Sequence, residues 1–408
     1  MTRVYMDSNV FSNMKNKNHE KYEILNGELD KFKNNIAFVF SPAHIRDKTN
    51  DITDKKFDDF DFMKDFVIDN YISYHSVEKN STFYLATPLE VFQDNDALES
   101  VDFVMNSLGG SYRELRKAIS KIGEEMPIIV NNIGYERNEL FNDDKVTEKF
   151  VSLVKGTLYH KDKSKIPFYD FYLQAYSMLD ILGYSKDELS KKNSYNNIFN
   201  DSLHSYYARY CDYLVTEDEG LKRKSRILYN RCENSTSIVT VEEFIKLVGQ
   251  VGKNTENNMS DVFRNLAQDL ISGEILEERQ DGDDFIFIIK PEAKYFNFFD
   301  IIVVIKSLSE GIYVFIKKSQ IHYLSTPNYR ECEMITNRMV EILGDDFSPA
   351  SKFDFDIEVE EMRNNQWKGR YWDFGDTRIH LQESKASKEF CIQVGPLTQW
   401  PMLERFTK

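Results

Sequence analysis

The stretch RVYMDSNVFSNM, Arg3 to Met14, constrains the fold more than any other in the chain. A short apolar run ends on Asp7, two small polar residues follow, and apolar residues then recur at helical spacing. That is the grammar of a buried strand feeding straight into a helix. It returns in NNIAFVFSPAHIRD, where Ile36 to Phe40 form a continuous apolar run, as expected of a strand buried on both faces of a parallel sheet. Ser41 is placed to cap the next helix and Pro42 to open it. A strand at Tyr213–Thr216 precedes a helix from about Gly220, and NSTSIVTVEEFIKLV gives one more strand and helix. Thr240 and Glu243 there have capping-box spacing. Strand–helix alternation at both ends of residues 1–250 predicts an α/β domain on a parallel sheet flanked by helices.

Between these ends, residues from about 55 to 200 read as a large helical elaboration. FMKDFVIDNYI, SYRELRKAISKIG, VTEKFVSLVKGTLY and YDFYLQAYSMLDILGY all space their apolar residues by three and four. The polar stretch GQVGKNTENNMS, Gly249 to Ser260, marks a boundary. Beyond it FIFIIK, IIVVIKSLSEGIYVFIKKSQIHYL, DFDIEVEEM and TRIHLQ read as strands, and YRECEMITNRMVEILG as a helix. Residues 251–408 are therefore expected to form an α+β accessory domain with antiparallel strands. At 408 residues the chain is long enough for two domains.

Ligands of open parallel sheets bind beyond the carboxyl ends of the strands. Asp7 follows the first strand, Ser41 to Asp47 follow the second, and Glu217 and Asp218 follow the Tyr213–Thr216 strand. Asp201 lies at the start of the helix expected from Ser202 to about Tyr210. Carboxylates at positions 7, 47, 201 and 218, gathered at one edge, would repel unless a cation joined them. Oxygen-only ligands select a hard ion, Mg²⁺ or Mn²⁺, and such a site stays open to phosphate, with two ions roughly 4 Å apart in its paired form.

Each of these residues also has a plainer role. Asp7 and Asp201 suit helix caps. Asp47 suits an exposed helix acid, in which case Asp51 or Asp54 could serve in its place at the site. Glu217 faces solvent or acts as a secondary ligand. His204, one turn after Asp201, would orient that acid or a phosphate, although a partly buried structural histidine is the commoner case. Lys222, Arg223, Lys224 and Arg226 form either a solvated face or a phosphate-binding group, in which Lys224 and Arg226 are best placed. QWKGRYWDFGDTR suits base stacking on a single strand or, more simply, a hairpin around a buried tryptophan.

The quoted segments VYMDSNVFS, SPAHIRD, NDSLHSYYARYCDYLVTEDEGL and KSRILY together resemble the motifs of PIN-domain nucleases. The resemblance covers both ends of residues 1–250 and not the helical middle. It implies a metal-dependent endoribonuclease that hydrolyses RNA phosphodiesters with Mg²⁺ or Mn²⁺. Asp7, Asp201 and Asp218 would hold the metal and Asp47 would be the second-motif acid. Ser8, Asn9 and Thr216 occupy the small polar positions of the motifs. RNA, single-stranded or structured like transfer RNA, is the expected partner, and a regulated toxin or defence effector suits the architecture. Two other readings are a catalytically inert PIN-like module binding RNA or protein and a structure-specific DNA nuclease. A protein regulator acting through residues 251–408 and a homo-oligomer are further partners left open.

Composition bounds these readings. A net charge of −15 argues against indiscriminate attraction to nucleic acid, though not against a local basic groove. Cys211, Cys232, Cys332 and Cys391 are far apart and lack any CxxC pair, which argues against a disulfide framework or a cysteine zinc site. No run reaches the ~20 apolar residues of a membrane span, and the N-terminus begins as a strand rather than a signal peptide. A cytoplasmic, membrane-free location is the expectation.

Overall fold

The computed structural model describes residues 2–32, 35–49, 53–94, 144–158, 160–182, 195–251, 257–307, 311–320, 322–346, 352–395 and 406. The chain divides into two compact units. One comprises Arg3–Glu28 with Phe38–Lys246, and the other Leu247–Lys408 with Met1–Thr2 and Leu29–Ala37.

The first unit is organised by a four-stranded parallel sheet in the order β2-β1-β5-β6. Its strands are β1 (Thr2–Met6), β2 (Ile36–Val39), β5 (Tyr213–Val215) and β6 (Ser237–Val239). All of β1 and β2 is buried, as the continuous apolar run of β2 requires of a strand covered on both faces. β1 pairs with β5 in the register Val4↔Tyr213, Tyr5↔Leu214, Met6↔Val215, and β5 pairs with β6.

The flanking helices are α1 (Ser8–Asn16), α2 (Glu20–Phe32), α3 (Pro42–Thr49), α4 (Lys55–Val67), α5 (Pro88–Gln93), α6 (Asp144–Thr157), α7 (Phe168–Ile181), α8 (Tyr195–Ala208), α9 (Glu219–Arg231) and α10 (Val241–Val251). Several starts follow the expected chemistry. Ser41 Oγ accepts from the Ala43 amide beneath α3, and at α10 Thr240 and Glu243 exchange reciprocal bonds of 2.8 and 3.3 Å.

Two expectations for the middle need correction. FMKDFVIDNYI is not one helix: α4 stops at Val67, Ile68 takes φ +56°, and β3 (Asn70–His75) begins. It forms an antiparallel hairpin with β4 (Asn80–Leu85), in which Ile72 faces Phe83 and both are buried. The helix expected from Ser202 starts at Tyr195, so Asp201 lies inside it rather than at its cap. SYRELRKAISKIG falls outside the described residues.

The second unit holds a seven-stranded sheet in the order β11-β12-β13-β10-β9-β8-β7, antiparallel throughout. Its strands are β7 (Glu274–Asp281), β8 (Asp284–Lys290), β9 (Ile301–Ser307), β10 (Gly311–Lys317), β11 (Arg370–Phe374), β12 (Thr377–Glu383) and β13 (Phe390–Gly395). One face carries Ile289, Ile302, Val304, Val314, Ile316, Leu381 and Ile392, all buried. The helices here are α11 (Met259–Ser272), α12 (Tyr329–Leu343) and α13 (Phe355–Arg363).

The last of these corrects the strand expected at DFDIEVEEM. Asp354 accepts from the Ile357 amide as an N-cap, Val359 and Met362 are buried, and Ile357 is left 59% exposed. QWKGRYWDFGDTR is the hairpin of β11 and β12, with Trp372 buried and its indole donating to the Gly344 carbonyl at 2.8 Å. None of the helices among the described residues is long and apolar enough to cross a membrane.

Candidate metal centre

The β1–β5 ladder runs one bond past both strands. The Asp7 amide donates to the Val215 carbonyl at 3.0 Å, so Asp7 and Thr216 emerge side by side at the carboxyl edge of the sheet. Thr216 Oγ1 donates to Asp7 Oδ2 at 2.9 Å and accepts from the Asp218 amide at 3.1 Å. Asp7 is thereby aimed by its neighbour strand and is only 4% exposed.

Asp47 arrives from α3 and His204 from α8. His204 Nε2 and Asp47 Oδ2 are 2.9 Å apart, and Asn200 Nδ2 donates to Asp47 Oδ1. The other imidazole nitrogen of His204, Nδ1, lies 2.8 Å from the Tyr5 hydroxyl, which is 2.6 Å from Ser41 Oγ. Asp7, Asp47 and His204 each present a ligand atom, all within 4.8 Å of one another.

Electrostatics reflect this crowding. Burial raises the Asp7 carboxyl above its usual range; His204 opposes the rise, and Asp47 and Asp218 add to it. Burial also pushes Asp201 well up, with Asp218 reinforcing the shift and Lys224 countering it. At Asp47 burial is outweighed by the charge and hydrogen bond of His204, so that carboxyl is lowered. Its side chain keeps 33% of its surface in solvent. For His204 burial disfavours the imidazolium, but Asp47 wins and the pKa is raised. His44 goes the other way, to about 3, because it is buried and faces His204. Neutral His44 accepts from the Ser41 amide on Nδ1, leaving Nε2 to donate to the Met6 carbonyl at 2.8 Å.

The donor set suits a divalent ion. Ser8 Oγ and Asn200 Oδ1 are buried polar atoms without a hydrogen-bond partner among the described residues. Both flank Asp47: Asn200 bonds it, and the Ser8 hydroxyl lies near enough to favour its ionised form while staying outside hydrogen-bonding geometry. Unsatisfied oxygens beside clustered carboxylates are what a cation would complete.

The remaining expected residues take varied places. Asp201 and Asp218 sense Asp7 electrostatically but stand outside its tight group, and Asp218 Oδ1 caps α9 by accepting from Leu221 at 2.7 Å. Glu217 is occupied elsewhere, bonding the Val241 amide and Lys21. Asn9 and Arg226 are exposed. Lys224 is fully buried, 3.3 Å from the equally buried Asp180, so it belongs to the wall behind Asp201 rather than to a surface that meets phosphate.

Two lysines that sequence reasoning missed are better placed. Lys15 and Lys48 share Asp59, at 2.6 and 2.7 Å, in a cleft that Ser8 and His44 also line. Two cations on one carboxylate leave a positive surplus beside the acids. Lysine charge is common on helix surfaces, so only the folded contact gives these two their meaning.

The Asp59 contact yields a pH prediction. Burial alone would raise the Asp59 carboxyl, but Lys15 and Lys48 hold it below its ordinary 3.8. The unfolded chain therefore takes up the proton first as pH falls, and the stabilisation is present above the unfolded pKa and lost on acidification. Asp59→Asn should melt below wild type at pH 6, and the gap should narrow progressively as pH falls below about 4. A gap independent of pH in scanning calorimetry would refute the pairing.

Comparison with protein-family models, with curated proteins and with solved structures finds no match.

Proposed function

We propose that this chain is a PIN-like, metal-dependent ribonuclease whose centre is Asp7, Asp47 and His204. The convergence of those three side chains at the carboxyl edge of a parallel sheet is the observation that supports it. Asp7, Asp47 and His204 would hold the ion, and Asp201 and Asp218 would supply surrounding negative charge. One imidazole among carboxylates shifts the preference from Mg²⁺ towards Mn²⁺, because nitrogen ligands suit later and softer ions. A divalent ion there supplies Lewis acidity towards a phosphodiester and acidifies water.

The chain's own residues do the positioning. Thr216 orients Asp7, Asn200 orients Asp47, and Tyr5 fixes the His204 ring. Lys15 and Lys48 offer positive charge to the phosphate from the adjoining cleft. His204 in its protonated form holds the carboxylates together when no ion does, so ion binding should release a proton.

The test is calorimetric titration with Mn²⁺ in two buffers of different protonation enthalpy, alongside cleavage of labelled single-stranded RNA, transfer RNA and flapped DNA. Saturable binding with proton release and Mn²⁺-dependent RNA cutting support the reading. Binding without any cutting favours the inert module, selective cutting of flapped DNA favours the DNA nuclease, and absence of binding defeats both the metal site and the nuclease.

A further inference from the structure

We propose that the C-terminal sheet carries a second binding site, specific for a small amphipathic monocarboxylate. β9, β10 and β13 line a half-open cavity of about 250 Å³ within the second unit. Val303, Ile305, Phe315 and Phe390 give it apolar walls. Lys317 projects from the same side of β10 as Phe315, directly opposite Cys391 of β13.

Lys317, Lys318 and Glu389 supply the charges of the lining. Lys318 pairs with Glu331 at 3.4 Å, whereas Lys317 has no carboxylate within ion-pair distance among the described residues. Burial lowers the Lys317 pKa, Cys391 opposes that, and Arg279 adds to the lowering. Ser384 and Ser387 also line the space. Their oxygens accept from the Ser387 and Glu389 amides, leaving both hydroxyl protons to donate.

A half-buried ammonium facing apolar walls is an incomplete arrangement, and an anion completes it. One unpaired charge balances a carboxylate, whereas a phosphate dianion would bring a second charge into an apolar space. The walls ask for an aliphatic or aromatic body, and the volume lies just below the usual range for drug-sized ligands, which sets a small molecule. The site shares no residue with the metal centre.

Octanoate, octanol and octylamine are the probes, measured on the full chain by calorimetry and by thermal shift. Octanoate should bind at least about tenfold more tightly than octanol, the scale of one charge-assisted bond, and octylamine should bind weakest. Lys317→Met keeps the apolar stem and should bring octanoate down to the level of octanol. Asp7→Asn should leave octanoate binding intact. Equal binding of octanoate and octylamine, or octanoate binding unchanged in Lys317→Met, or no octanoate binding at millimolar concentration, overturns the site. Should Lys317→Met fail to fold, the wild-type ligand series decides the matter, supported by Ser387→Ala, expected to weaken octanoate severalfold and octanol little.

Discussion

Replacing Asp7 by asparagine should abolish Mn²⁺ binding and lower RNA cleavage by roughly a thousandfold, the size of several kcal/mol of lost transition-state stabilisation. The same substitution should leave the metal-free protein as stable as wild type or more so. Asparagine retains an oxygen for the Thr216 hydroxyl, so the β1–β5 edge keeps its bond. It removes a carboxyl that burial disfavours and that Asp47 and Asp218 further repel. Function and stability should therefore move in opposite directions, which separates a ligand from a structural cap. Melting temperature and Mn²⁺ titration on one preparation decide it. A lower melting temperature with unchanged metal affinity would make Asp7 a fold-maintaining residue.

The largest stability loss is expected in the other unit, at Arg370. Its guanidinium is 2% exposed and reaches Asp346 at 2.9 Å, Glu358 at 2.6 Å and the Lys352 carbonyl at 2.9 Å. Glu358 in turn accepts from the Trp367 indole at 2.9 Å. Arg370→Met leaves two carboxylates buried without their cation, a fault that costs about 3–5 kcal/mol. For a unit of this size that is a fall of roughly 10 °C in melting temperature. All three tryptophans, Trp367, Trp372 and Trp400, belong to this region, so intrinsic fluorescence follows its unfolding selectively. Adding Glu358→Gln to Arg370→Met should restore part of the loss, because the two sites share one network. A melting curve unchanged by Arg370→Met would show that water already screens the pair.

Much of the scaffold was legible because its signals are local. Strand, acid, then helix is written within a dozen residues at Arg3–Met14 and again from Tyr213, and the structure puts β1, α1, β5 and α9 there. Thr240 and Glu243 announced a helix start through a bond three residues long. DFDIEVEEM shows the limit. Phe355, Ile357 and Val359 alternate, yet Phe355, Val359 and Met362 also fall at helical spacing, and the Asp354 cap settles the contest for α13. Periodicity over nine residues serves both structures, and only the end chemistry separates them.

The site itself divides along the same line. Asp7 was readable from its place after a strand, and Asp47 from the helix after the second. His204 was singled out only as a partner of Asp201 one turn away, because its contact with Asp47 spans 157 positions and nothing near it in the chain signals that. Lys224 misled for the converse reason: a basic run on an amphipathic helix does not reveal which of its members turns inward, and this one meets Asp180 in the interior.

The parallel pairing of β1 with β5 also sets when the charge cluster comes into being. A nascent polypeptide leaving the ribosome exposes Asp7 almost at once, but β5 is translated only some two hundred codons later. Until then Asp7 has neither Thr216 to aim it nor His204 beside it, so the charge cluster cannot assemble before β5 has been made.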